Sequence, residues 1–178
     1  MSNKNIVLIG MPGSGKTTIG KLLAKKLNRD FCDIDDYIED TEGKKIKDIF
    51  KDGEDAFRRL EINAVREISK RQGIVISTGG GVVKFPENID SLRKNGMLIF
   101  IDRSLDHIVS DVNISDRPLL RDGPEKLYSL YEERYKLYKE YADYLVSNSS
   151  TLESAVEEII HIINTDNDRS EYIETYGD

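Results

Sequence analysis

Short apolar runs alternate along this chain with stretches in which apolar residues recur every three or four positions. Ile6-Val7-Leu8-Ile9 is a β-branched and aliphatic run of the kind carried by a strand buried on both faces. After Thr17 the apolar residues fall at Ile19, Leu22, Leu23 and Leu27, which is helical spacing. Repeated along the chain, the two signatures predict strands over 5–10, 31–35, 74–78, 97–102 and 143–147. Helices are predicted over 15–27, 36–42, 45–51, 54–71, 87–94, 104–111, 125–141 and 152–164. Strands separated by helices of this length imply an α/β fold in three layers, a five-stranded parallel sheet flanked by helices with right-handed crossovers. Ligands of such sheets bind beyond the C-terminal ends of the strands.

One domain is expected over 1–164, followed by an acidic, fraying and mobile tail over 165–178. The polar stretch 113–124 holds Pro118, Gly123 and Pro124 together with arginines. A mobile lid is therefore expected over about 112–124, its arginines able to close over phosphates.

The first strand runs into Gly10-Met11-Pro12-Gly13-Ser14-Gly15-Lys16-Thr17, which fits G-x-x-x-x-G-K-[ST]. The glycines let backbone N–H groups converge on an anion, and the helix that follows adds the positive end of its dipole. Lys16, expected as an exposed loop lysine, can reach β- and γ-phosphates, and the Thr17 hydroxyl can ligate Mg²⁺. A strand before and a helix after make this a nucleoside triphosphate site rather than a chance glycine-rich turn.

Composition narrows the setting. The chain has 178 residues, 38% hydrophobic and 33% charged, with a formal net charge of −7. That balance excludes a nucleic-acid backbone as partner, since such proteins carry basic faces. No apolar stretch approaches the roughly 20 residues of a membrane-spanning helix. The first residues lead directly into the first strand, so no signal peptide is expected. Cys32 is the single cysteine and is expected to be an inert buried thiol. A cytoplasmic protein is expected.

The second strand reads Phe31-Cys32-Asp33-Ile34-Asp35-Asp36. Strand alternation places Asp33 and Asp35 on one face, near the phosphate loop. A phosphoryl transferase needs one carboxylate near Mg²⁺ and another to orient or deprotonate the accepting hydroxyl. Asp36 is read instead as the cap of the next helix. The third strand ends in Ser77-Thr78-Gly79-Gly80-Gly81. Three glycines weaken any strand or helix, and they suit a backbone that must approach a ligand closely. Tyr128, Tyr131, Tyr135 and Tyr138 form a stripe at helical spacing, read as a half-buried packing face. His107 and His161 stand alone, with no metal-ligand spacing around them.

Together Gly10 to Thr17, Asp33-Ile34-Asp35, Asp52-Gly53-Glu54, Phe57-Arg58-Arg59-Leu60-Glu61, Gly79-Gly80-Gly81, Arg117-Pro118-Leu119-Leu120 and Arg134 with Leu137-Tyr138 and Ala142 resemble the shikimate kinases. The resemblance spans residues 6 to about 142. It implies transfer of the γ-phosphoryl group of ATP to the 3-hydroxyl of shikimate, a step toward chorismate and the aromatic amino acids, in a fold like that of nucleoside monophosphate kinases. By the same resemblance Gly13, Ser14, Gly15, Lys16, Thr17 and Thr18 wrap the ATP phosphates. One Mg²⁺ is implied, on Thr17 and, through water, on Asp33. Asp35 is implied to hydrogen-bond the substrate hydroxyls and serve as base. Arg58 and Arg134 hold the substrate carboxylate beside Gly79, Gly80 and Gly81, and Arg117 reaches over the nucleotide from the lid. The catalytic set would be Lys16, Asp35 and Arg117. Glu61, one turn after Arg58, can lock the arginine's rotamer. ATP and shikimate are the implied partners, with no nucleic acid or membrane, and a monomer is expected. Shikimate kinases often carry a further arginine before the R-P-L-L motif, where this chain has Val109-Ser110-Asp111, and the adenine loop is placed near 147–150. The rival readings are a kinase of another hydroxy acid such as gluconate, and a non-catalytic nucleotide-binding module.

Overall fold

The computed structural model describes residues 3–111 and 124–176. Five strands form one parallel sheet in the order β2-β3-β1-β4-β5, with β1 at Asn5–Ile9, β2 at Phe31–Asp33, β3 at Val75–Ser77, β4 at Gly96–Asp102 and β5 at Tyr144–Ser147. Helix α1 (Lys16–Leu27) follows β1, and α2 (Ile34–Glu42), α3 (Ile46–Ile49) and α4 (Glu54–Ile68) lie between β2 and β3. Helix α5 (Pro86–Arg93) precedes β4, α6 (Leu105–Asp111) and α7 (Pro124–Tyr141) follow it, and α8 (Leu152–Tyr176) closes the chain.

Period-two alternation divides β1 between two cores. Val7 and Ile9 point into one with Ile76, Leu98 and Phe100, covered by α2, α4, α5 and α7. Ile6 and Leu8 point into the other with Val75, Ile99 and Ile101, covered by α1 and α8. A strand buried on both faces is why the sequence shows an apolar run there instead of alternation. Asn5 is the polar exception, fully buried, and it is satisfied: its Nδ2 donates to Arg71 O at 2.7 Å and its Oδ1 accepts from Ile74 N at 3.1 Å.

Three expectations change. The second strand stops at Asp33, and α2 begins at once with Ile34, so Asp35 sits in the first turn of a helix instead of on a strand face. The cause is local. Asp33 keeps extended dihedrals and its Oδ1 accepts from Asp35 N at 3.0 Å, so Asp33 caps α2 and Asp36 does not. The last helix does not end at Asn164 but runs to Tyr176, because neither Gly nor Pro interrupts the sequence from Leu152 until Gly177. Cys32 is half-buried, not buried, and burial still pushes its thiol up, away from reactive thiolate. The expected lid, apart from Pro124 at the start of α7, and Arg117 with it, lies outside the described residues.

Candidate active site

All five strands end toward one cleft of about 1210 Å³. The turn after β1 forms one wall. Gly13 and Gly15 adopt φ of 83° and 96°, a left-handed backbone that side chains resist, and Gly15 is the cap of α1. Lys16 is buried, at 7% exposure, so it is not the exposed lysine that the sequence suggested. Its Nζ donates to Gly10 O and Met11 O, each at 2.9 Å, drawing the loop around its own ammonium. Two residues brace this wall: Arg103, which sequence reasoning missed, and Asn148, which it placed only in the adenine loop. Asn148, just past β5, donates from Nδ2 to Ser14 O at 2.9 Å, and Arg103, just past β4, donates from Nη1 to Gly13 O at 3.2 Å. Nothing in the local sequence marks either, because each partner lies about ninety or more positions away.

Thr17 Oγ1 donates to Asp33 Oδ2 at 2.8 Å, and Ser77 Oγ lies 3.4 Å from the same hydroxyl. The loop and the second strand thus meet as expected through Thr17 and Asp33. A hydroxyl beside a carboxylate is a hard oxygen donor set, which suits Mg²⁺ far better than a soft metal.

The glycine turn after β3 joins this wall to the rest of the cleft. A Cβ on Gly80 would lie 2.7 Å from Pro12 Cδ of the phosphate loop. One on Gly79 would lie 2.9 Å from Glu61 Oε1 and 3.1 Å from Asp35 Oδ1, and one on Gly81 would sit 2.3 Å from Arg58 Nη2. None of the three has a left-handed backbone, so what they provide is missing volume, not unusual dihedrals. Tyr138 Oη donates to Gly80 O and fixes the turn from below. The tyrosine stripe is mainly a packing face, with Tyr131 stacked on Tyr135 at 4.5 Å, but its last member helps to shape the site. Burial pushes the Tyr138 hydroxyl well above its usual range, so it stays a donor.

Beyond the turn lie the acid-binding candidates. Arg58 on α4 is 4% exposed and gives Nη1 to Glu61 Oε2 at 2.7 Å, the rotamer lock expected one turn away. It also gives Nε and Nη2 to Glu54 Oε1 at 3.2 and 2.9 Å, an i,i+4 pair legible in the spacing but overlooked. Burial works against the Arg58 charge, and the two glutamates more than restore it. Arg134 on α7 is 1% exposed, and its Nε and Nη1 have no hydrogen-bond partner among the described residues. Two donors of a buried guanidinium left open are costly unless a ligand completes them. Asp35 is in a similar state. Its Oδ1 is sealed from solvent without a partner, and burial, with Asp33 and Glu61 adding negative charge, pushes its carboxyl up to about 7. Glu61 Oε1 is likewise buried and unpartnered.

This arrangement can place a nucleotide's phosphates on one side of the glycine turn and a small carboxylic acid on the other. A family model described as shikimate kinase matches residues 12–164. The chain belongs to the shikimate kinase family. A shikimate kinase of Clostridium botulinum (strain Alaska E43 / Type E3) is 48% identical over 163 residues, covering 92% of this chain and 98% of that protein. One from Sulfurihydrogenibium sp. (strain YO3AOP1) is 44% identical over 159 residues, covering 88% and 96%. Among solved structures, shikimate kinase from Acinetobacter baumannii in complex with shikimate superposes with a TM-score of 0.87 at 32% identity, over 92% of this chain and 94% of that one. For shikimate kinase from Aquifex aeolicus the TM-score is 0.80 at 34% identity, over 92% and 98%.

The cleft lies at the C-terminal edge of the sheet. Of the residues singled out from sequence, Gly13, Gly15, Lys16, Thr17, Thr18, Asp33, Asp35, Arg58, Gly79 to Gly81 and Arg134 all border the one cleft, while Ser14 is buried behind it. Arg117 lies outside the described residues.

Proposed function

We propose that this cleft transfers the γ-phosphoryl group of ATP to the 3-hydroxyl of shikimate, giving shikimate 3-phosphate and ADP. The observation that carries the substrate assignment is the open guanidinium of Arg134, buried with Nε and Nη1 unpartnered beside the buried Arg58. Two planar forks from separate helices suit a single carboxylate, and burial strengthens each charge-assisted bond. The backbone N–H groups of the glycine turn, held by Tyr138, are at hand for the same acid.

The amides of Gly13 to Thr18 receive the phosphates, and Lys16 turns its ammonium from the Gly10 and Met11 carbonyls to the phosphate oxygens. Thr17 and Asp33, hydrogen-bonded to each other, are the residues that would hold one Mg²⁺, Asp33 through water. The bound ion neutralises charge on the phosphates. Asp35 Oδ1 accepts the proton of the attacking hydroxyl, and a carboxyl raised to about 7 is matched to that task near neutral pH. Arg117 adds positive charge over the nucleotide from the lid. Asn148 and the residues beside it border the adenine. We read the protein as a cytoplasmic monomer whose partners are ATP and shikimate. Among the described residues no helix is long and apolar enough to cross a membrane.

Two buried arginines beside a three-glycine turn would grip the carboxylate of gluconate as well as that of shikimate, so the family match is what favours shikimate, while a silent binding module has no need of a buried carboxyl raised to about 7 beside the phosphate loop. ADP release in a coupled assay, run with a panel of hydroxy acids with and without Mg²⁺, is the test. The expected result is release that depends on both shikimate and Mg²⁺. A response to gluconate alone, or none to any acid, would refute the assignment.

A further inference from the structure

The acid-binding arginines are themselves surrounded by acids, and the structure shows what keeps the two from closing on each other. Glu54 Oε1 already takes two bonds from Arg58. Glu133, next to Arg134 on α7, brings Oε2 to 3.6 Å from Arg134 Nε without a hydrogen bond. A small rotation of Glu133 would close that gap and fill the donors that a substrate carboxylate needs. Its other oxygen is held elsewhere: Lys84 Nζ donates to Glu133 Oε1 at 3.0 Å, and the same ammonium lies 3.9 Å from Glu54 Oε1. Lys84 is the last residue of the short 3-10 turn, Val82–Lys84, that follows the three glycines, so the turn that shapes the site also delivers this cation.

We propose that Lys84 is a positioning residue of the acid-binding site: by bridging Glu133 and Glu54 it keeps the Arg134 donors open for the substrate carboxylate. Charge supports the geometry. Arg58, Arg134 and Lys84 are three cations against Glu54, Glu61 and Glu133, with Asp35 a further acid acting on Glu61, so an incoming anion depends on all three cations. Removing Lys84 leaves two arginines facing three glutamates, frees Glu133 to occupy Arg134, and opposes the substrate on both counts. Lys84 does not border the cleft, so it acts through Glu133 and not by touching substrate.

The inference rests on the substrate assignment above, and steady-state kinetics separates the two. Lys84→Met should raise the shikimate KM about two- to fivefold, the span expected for a part-exposed ion pair, while kcat changes less than twofold and the ATP KM stays fixed. Lys84→Arg should restore the wild-type KM. In a Glu133→Gln background, Lys84→Met should lose most of its effect, because a neutral amide no longer competes for Arg134. An unchanged shikimate KM in Lys84→Met would overturn the inference while wild-type turnover left the substrate assignment standing. An equal KM increase with and without Glu133→Gln would also overturn it, since that marks a diffuse loss of charge. Wild-type protein that releases no ADP in response to shikimate would remove both.

Discussion

The two sides of the glycine turn solve different problems with different means. On the phosphate side, polar groups are largely bonded to one another: Lys16 to Gly10 and Met11, Thr17 to Asp33, Asn148 to Ser14, Arg103 to Gly13. Apart from Ser14 Oγ, the unsatisfied buried atoms of the site gather on the acid side, at Asp35 Oδ1, Glu61 Oε1 and Arg134 Nε and Nη1. A phosphate loop binds mainly with backbone, so its shape is fixed by glycines and survives without ligand. A site for one small acid binds with side chains, and their open valences are costs to the fold that the ligand relieves. The first side is therefore built for stability and the second for recognition.

The largest expected effect lies on the phosphate side. Lys16→Ala should lower kcat by about 10²- to 10³-fold, the usual loss when one preorganised charge at a phosphoryl transition state is removed. Because Lys16 is buried and ties the start of α1 to the Gly10 and Met11 carbonyls, some loss of thermal stability should accompany it. Stopped-time ADP assays and a melting curve measure both. A variant with more than half of wild-type turnover would show that this wall is not catalytic.

Asp35→Asn should separate activity from stability on the acid side. Turnover should fall by about 10²-fold, the low end for a general base, because a loose phosphoryl transition state asks little of one. Stability should rise instead. The folded carboxyl titrates at about 7, above its ordinary value of 3.8, so the fold is penalised progressively as pH climbs from about 4 to 7 and fully above that. Asn removes that penalty. Melting of the ligand-free protein should therefore shift upward by a few degrees at pH 8 and hardly at all at pH 4. A variant that melts lower than wild type at pH 8 would mean that Asp35 is structural.

How much of this was legible in the sequence follows the same division. The phosphate loop was, because its residues are consecutive and the strand and helix around it carry clear periodicities. The five strands and the order of helices were legible for the same reason. The strand boundary at Asp33 was not: Phe31-Cys32-Asp33-Ile34-Asp35 alternates like a strand, and only the side-chain bond from Asp33 to the Asp35 amide converts it into a helix start. On the acid side, the pairing of Arg58 with Glu61 and Glu54 is readable from helical spacing, whereas Arg134 stands 76 positions from Arg58 and no local pattern connects them. Family resemblance linked them where spacing could not. Arg103, Lys84 and Glu133 escaped notice because each meets a partner in another element, and Asn148, though inside the expected adenine loop, carries no local sign of its bond to Ser14.

Arg134→Met tests the central claim, that phosphate and acid are bound on separate sides of one turn, most directly. It is a cleaner probe than Arg58→Ala, which would strand the fully buried Glu61 without its cation. Arg134 leaves no such orphan, since Glu133 keeps Lys84. The measurement is the pair of KM values, for shikimate and for ATP, from one set of initial rates. The shikimate KM should rise about tenfold or more, the loss of a charge-assisted hydrogen bond worth roughly 1.5–3 kcal/mol, with the ATP KM within twofold of wild type. An unchanged shikimate KM, or a rise confined to ATP, would contradict the account.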